Sequence, residues 1–356
     1  MAETSRIEWT DATWNIVTGC SLVSPACTNY YAIHLAGTRL KHLPSRAGLT
    51  REVNGKPVWT GEVRINWEWI EQPLQWTRAR KIFVAAHGDL FHDGLAASEI
   101  ATIFGVMVAA HHLHGHVLQV LTKRTRRMRE LLSSPEFWEQ VNAEAEAHVM
   151  ERVDPLARRS DDARATLDDY GPDNPPPGIW LGATAERQPE WDERMEHLRR
   201  TPASFRFVSI EPMIGDISMR LCETMILAGE SGPMHIAPLP TWLDLVIAGG
   251  EGGPGARSTP IALFRSLRDQ CALAGVAFDF KQWGEWIDAD EFLRLVAPER
   301  VAAAPLTFAG ALQLGVDSLA ACEHHSDGSS SLRVGKRRAG RTLDGREHNG
   351  AREVGS

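Results

Sequence analysis

Two cysteines stand close together near the start of the chain, in Thr18-Gly19-Cys20-Ser21-Leu22-Val23-Ser24-Pro25-Ala26-Cys27-Thr28-Asn29-Tyr30-Tyr31-Ala32. A Gly/Pro-bounded loop with thiols at this spacing suits a soft metal or an iron–sulfur cluster, because thiolate sulfur is the donor such centres take. A third thiol at position 30 would complete a Cys-x6-Cys-x2-Cys loop, with one cluster iron left open for a substrate or cofactor. The chain has Tyr30 there. A phenolate is a hard oxygen donor whose proton leaves only near pH 10 or so. Cys20, Cys27 and Tyr30 therefore support two readings: an under-ligated cluster loop, or two loop thiols that bind nothing.

Other residues with chemistry fall just after short apolar runs. Glu186, Glu211 and Glu251 follow three separate runs, and a carboxylate so placed accepts amine or hydroxyl protons from a ligand. The competing reading pairs each with a cation such as Lys123, Arg124 or Lys281. Gly249 and Gly250 open a glycine-rich turn that runs to Gly255, able to turn backbone N–H groups toward an anion, although glycines serve any tight turn. His87, Asp89 and His92 share one loop and have the types for acid–base or metal work. Gln282, Trp283 and Glu285 follow the last run, where Trp283 and Trp286 could stack on a planar ligand or simply close the end of the fold.

The elements that must position these residues alternate regularly. Apolar runs at Lys81–Ala86, Val117–Leu121, Ile179–Ala183, Phe205–Ile210, Leu243–Ala248 and Ala277–Phe280 each end in polar residues, and most lead into a helical pattern. In one helix Ile100, Ile103, Phe104, Met107 and Val108 share a face, with Ser98 as the expected N-cap. Strand, polar end, then helix, repeated, predicts an α/β fold: a full or partial (β/α) barrel of parallel strands with the polar ends at one mouth. There is no Gly-x-Gly-x-x-Gly for a dinucleotide crevice. The barrel-like domain is expected over residues 1–287, with a helical insertion at about 133–178. A helical appendage and flexible linker follow at 288–330, then a basic tail at 331–356.

A net charge of −8 argues against a whole-surface polyanion binder, yet Arg333, Lys336, Arg337, Arg338, Arg341, Arg346 and Arg352 crowd the tail. Nucleic acid is accordingly a candidate partner, through the mouth or the tail. No apolar run is long enough to span a membrane, and five scattered cysteines make no disulfide scaffold. The expectation is a cytoplasmic protein without membrane partners.

The order of motifs resembles a bacteriophage and prophage protein family of unknown function. The resemblance runs through Trp9-Thr10-Asp11-Ala12-Thr13-Trp14-Asn15, the cysteine loop, Asp89-Leu90-Phe91-His92, Leu121-Thr122-Lys123-Arg124, Trp180-Leu181-Gly182 and Phe207-Val208-Ser209-Ile210-Glu211-Pro212. It continues in Gly249-Gly250-Glu251, Arg265 to Cys271, Phe280-Lys281-Gln282-Trp283-Gly284-Glu285 and Gly340 to Arg346. The family's three-cysteine loop is similar to that of radical S-adenosylmethionine enzymes. The resemblance implies a [4Fe–4S] cluster on Cys20 and Cys27, S-adenosylmethionine near Glu211, Gly249, Gly250 and Glu251, and action on a nucleic acid or nucleotide. Tyr30 departs from the family pattern at the third ligand. Two other readings remain open: a degenerate, non-catalytic barrel that binds nucleic acid or a partner protein, and a metal-independent hydrolase or lyase using the mouth carboxylates with His87 or His92.

Overall fold

The computed structural model describes residues 5, 7–153, 167–220, 225–229, 232–236, 240–296 and 322–354. Seven strands form one sheet in chain order: β1 (Ala12–Trp14), β2 (Lys81–Val84), β3 (Val117–Thr122), β4 (Ile179–Thr184), β5 (Phe205–Ile210), β6 (Leu245–Gly249) and β7 (Ala277–Gln282). Registers are parallel, with Trp14 opposite Val84, Val84 opposite Val120, Leu118 opposite Ile179, and Leu245 opposite Ala277. Strands that neighbour one another in strict sequence order are singly wound, the order of a barrel and not of a doubly wound sheet. The ends β1 and β7 do not pair, so the barrel is partial. The expected strands lie within two residues of their predicted bounds. Their near-continuous apolar runs reflect burial on both faces, as all six residues of β4 show.

The chain divides into two compact units, one of Met1–Thr184 with Arg194–Phe207 and one of Ala185–Glu193 with Val208–Ser356. In the first unit, helix α1 (Tyr31–Gly37) follows the cysteine loop and α2 (Ala97–His114) follows β2. Helix α2 starts after Ala96, and Glu99 accepts the Ala96 N–H at 2.7 Å, so Ser98 lies inside the helix and not at its cap. Ile100, Ile103, Phe104, Met107 and Val108 are buried as predicted, but so are Ala101, Gly105, Val106, Ala109 and Ala110. The reason is a second layer. Helix α3 (Thr125–Leu132) leads into α4 (Pro135–Arg152), which buries Phe137, Trp138, Val141, Ala145 and Val149. Phe104 meets Phe137 and Trp138 edge-on at 5.6 and 6.2 Å. The stretch expected to be a helical insertion thus supplies a helix that buries an apolar face. Its residues 154–166 lie outside the described residues, as do Cys222 and residues 297–321 of the expected appendage.

Helix α5 (Gln188–Arg200) has Pro189 in its first turn, and its residues are divided between the two units. In the second unit, helix α6 (Ile261–Ala274) ends at Gly275, whose φ of 70° is the left-handed C-cap glycine accommodates. Just before this helix, the buried Thr259 hydroxyl donates to the Met213 carbonyl at 2.6 Å. Residues 331–354 fold onto this unit. Leu332, Ala339, Leu343 and Ala351 are wholly buried. Trp283 Nε1 donates to the Thr342 carbonyl at 2.7 Å, and Asp344 is held by Arg265 at 2.6 Å and also by Arg268. Strand Ser330–Arg333 pairs with Trp286–Asp288. The basic segment is therefore part of a packed structure: single buried side chains anchor it between its exposed charges.

Gly105 marks the closest approach of α2 and α4, since a Cβ there would lie 2.5 Å from Glu144 Cβ and 3.1 Å from the Ala145 nitrogen. Gly105→Ala should force the two helices apart and lower stability by about 1–3 kcal/mol, the usual cost of overpacking. The shift in urea midpoint relative to the unaltered protein measures it.

Candidate functional site

The cysteine loop is built in the first unit. Strand Val17–Gly19 ends at Gly19, with φ of +89° and a would-be Cβ only 2.3 Å from the Glu62 carbonyl oxygen, so no larger residue fits before Cys20. Pro25–Asn29 forms a 3-10 turn carrying Cys27, and Tyr30 precedes α1 in an extended conformation with φ −64° and ψ 122°. The Cys20 and Tyr30 side chains pack on the apolar cluster of Ala32, Ile33, Ala36, Leu49 and Trp59.

Tyr30 does not offer its oxygen to a metal. The Tyr30 hydroxyl donates to the Ala86 carbonyl at 2.6 Å, and Tyr31 donates to the same oxygen at 2.9 Å, with the two rings edge-on at 4.9 Å. Burial holds the Tyr30 phenol well above its ordinary range, and the neighbouring Tyr31 and Cys20 push the same way.

The two thiols differ. Burial, with Asp89 adding to it, raises Cys20 to about 11, although Arg124 Nη1 donates to its sulfur at 3.5 Å. Burial also works against ionisation of Cys27, but Lys123 and the backbone around Val23 and Ser24 outweigh it, and the net shift is downward. Ser24 Oγ links the two groups, 3.7 Å from Cys27 Sγ and accepting from Lys123 Nζ at 2.9 Å.

Arg124 sits at the end of β3 and ties the loop to the end of β2. It donates to Asp89 Oδ2 at 2.8 Å and to Ser21 Oγ at 2.6 Å. Asp89 also accepts from the Thr122 hydroxyl at 2.7 Å and the Phe91 N–H at 2.9 Å. His92 Nδ1 accepts the Gly94 N–H at 3.1 Å, which leaves the ring proton on Nε2, 3.1 Å from Ser21 Oγ. His92 is thus a donor to Ser21 and not a base for it. His87 Nδ1 accepts from Arg46 Nη2 at 2.8 Å, and burial followed by the Arg46 charge lowers its pKa to about 4. Ser21, Ser24 and Arg46 were not foreseen. The two serines had a signal in their position between the cysteines; Arg46 had none.

The remaining predicted residues lie in the second unit, and their polar atoms are largely spent on one another. Glu211 pairs with Lys281 at 2.7 Å and accepts from Gln282 at 3.0 Å. Glu251, buried, takes a bidentate grip from Arg257 at 2.7 and 2.8 Å. Gly249 packs on Glu211, and a Cβ at Gly250 would fall 1.9 Å from the Trp283 carbonyl oxygen, so these glycines serve close backbone approach. The Gly253 N–H donates to Glu285 at 3.1 Å, which ties the turn to the segment after β7. Trp283 is buried against Phe264 and Phe280 at 5.4 and 5.1 Å, an aromatic closure of the fold and not a stacking wall. Glu186 is wholly buried.

A family model described as a protein of unknown function, DUF5131, matches residues 4–352. The chain belongs to this family. No curated protein and no solved structure matches it. Among the described residues, no helix is long and apolar enough to cross a membrane. What the family does has to be argued from the site itself.

His87 yields a pH test. Its folded pKa of about 4 lies below the ordinary value of 6.5, so between those pH values the unfolded chain binds the additional proton. Stability should therefore be unaffected by this group above pH 6.5 or so and fall as pH drops toward 4, by up to about 3 kcal/mol at 1.36 kcal/mol per unit. His87→Asn, whose amide oxygen can still accept from Arg46, should flatten that part of the urea-midpoint profile.

Proposed function

We propose that this chain is a cluster-free member of its family, a partial barrel that binds nucleic acid and does not perform radical S-adenosylmethionine chemistry. The observation that carries the proposal is the Tyr30 hydroxyl on the Ala86 carbonyl. A [4Fe–4S] cluster with one open iron needs three thiolates, and the residues here do not fit it. Position 30 carries a neutral phenol already engaged, Cys20 is a half-buried thiol held protonated beside Arg124 and Asp89, and Cys27 alone is biased toward thiolate. Glu211 and Glu251, the carboxylates that resemblance assigns to S-adenosylmethionine, are committed to Lys281 and Arg257. The hydrolase reading finds no support in His87 or His92, whose Nδ1 atoms both accept hydrogen bonds from protein donors.

Nucleic acid is favoured as ligand by the folded basic segment. Lys336, Arg337 and Arg338 are exposed on a short helix anchored by buried Ala339, and Arg346 and Arg352 are exposed nearby in sequence. Cations held on a scaffold meet phosphates at a smaller entropy cost than the same cations on a loose tail.

Two measurements test this reading. Anaerobic reconstitution should leave the natural chain with negligible iron and sulfide, while Tyr30→Cys takes up more and gains broad visible absorption, lost again in Cys20→Ala or Cys27→Ala. Full cluster occupancy in the natural chain would establish the radical-enzyme reading instead. For the ligand, affinity for a duplex oligonucleotide should fall steeply with salt, and Arg337→Ala with Arg338→Ala should reduce the log–log slope by about 2, one per phosphate contact. An unchanged slope would remove this segment from the interface.

A further inference from the structure

A second constellation of ligand-type side chains lies in the first unit, unrelated to the cysteine loop. Glu71, His148 and Glu151 each present one donor atom, and these atoms lie within 4.8 Å of one another. His148 and Glu151 are three residues apart on α4, the spacing that puts two side chains on one helix face. Glu71 comes from a different part of the chain, immediately before the short helix Gln72–Gln75. Two buried polar atoms here have no hydrogen-bond partner: His148 Nδ1 and Gln72 Oε1. A buried polar atom left unpaired costs about 1–3 kcal/mol, so the unpaired ring nitrogen of His148, one of the three clustered residues, and the Gln72 oxygen next in sequence to Glu71 both favour an occupant. Glu71 and Gln72 also line an open cavity of about 410 Å³ with Trp67, Trp69 and Gln75, so water reaches the Glu71 side of the cluster.

We propose that Glu71, His148 and Glu151 bind a divalent transition-metal ion of the zinc class. One imidazole nitrogen and two carboxylate oxygens are a donor set for zinc, and the imidazole disfavours calcium or magnesium. The two carboxylates balance the ion's charge, and water from the cavity completes a tetrahedron. The donors must close from their present spacing to roughly 3.4 Å, set by bonds of roughly 2.0–2.2 Å. Glu71 and Glu151, with side chains 46% and 66% exposed, have the freedom to do so.

Arg152 gives the site a specific property. Its guanidinium bridges the same carboxylates, at 3.0 Å to Glu71 and 3.3 Å to Glu151. It holds the two acids together without metal and is the cation that a metal ion must displace. Metal binding and the Arg152 ion pairs therefore compete for the same two carboxylates.

The test is calorimetric titration of the chelator-stripped full chain with zinc chloride, in a Cys20→Ser/Cys27→Ser background that removes the loop thiols as competing ligands. One equivalent should bind. His148→Ala and Glu71→Gln should each weaken binding by about tenfold or more. Arg152→Gln should strengthen it by about two- to fivefold, the worth of an exposed ion pair. A gain of affinity cannot arise from misfolding, so that variant keeps the result interpretable if the others lose structure. Absence of zinc uptake, uptake indifferent to His148 and Glu71, or no gain in Arg152→Gln would each overturn the proposal.

Discussion

Arg124 and Asp89 form a buried ion pair at 2.8 Å, with side chains only 8% and 7% exposed, and the arrangement of the cysteine loop depends on it. Such a pair is costly to desolvate and repays that cost only when the remaining polar atoms are satisfied. Here they are. Asp89 takes Thr122, Phe91 and Arg124, while Arg124 spends its other donors on Cys20 and Ser21. The pair joins the ends of two neighbouring strands, β2 and β3, to the loop that follows Gly19. Loss of either partner would leave an unpaired charge in an apolar setting, at a cost of about 3–5 kcal/mol. The loop is therefore tied to the two strand ends by the protein's own charges.

That arrangement explains why the two cysteines, alike in sequence, differ in chemistry. Cys20 shares its cation with a buried carboxylate, and burial dominates. Cys27 has Lys123 nearby, relayed through Ser24, and its thiol is eased toward ionisation. Tyr30 completes the pattern by filling its position with a ring packed on the apolar cluster and a hydroxyl spent on Ala86.

Much of the fold was legible because parallel strands buried on both faces write themselves as short apolar runs, and their polar ends follow directly. What was missed follows from local charge hiding sparse anchors. Helix α4 carries many charged residues, yet Phe137, Val141, Ala145 and Val149 recur every four residues and cover α2. The basic segment looked like a tail because arginines outnumber Leu332, Ala339, Leu343 and Ala351, whose spacing follows no period. At the site, residue types were legible and pairings were not. Glu211 with Lys281 joins residues 70 apart in sequence, and Arg46 reaches His87 from 41 residues away. Only the folded chain decides that such acids are committed to neighbours and not open to a ligand.

The central claim is that the loop's thiols are set apart by Lys123, Arg124 and burial, and alkylation as a function of pH tests it most directly. Iodoacetamide labelling of the natural chain as purified, followed by peptide mass spectrometry, reports the two sulfurs separately. The account predicts that Cys27 labels with a midpoint below that of an ordinary thiol and that Lys123→Met moves it upward, while Cys20 resists until about pH 11. Coincident midpoints for the two cysteines, or protection of both that disappears only on treatment with an iron chelator, would contradict it.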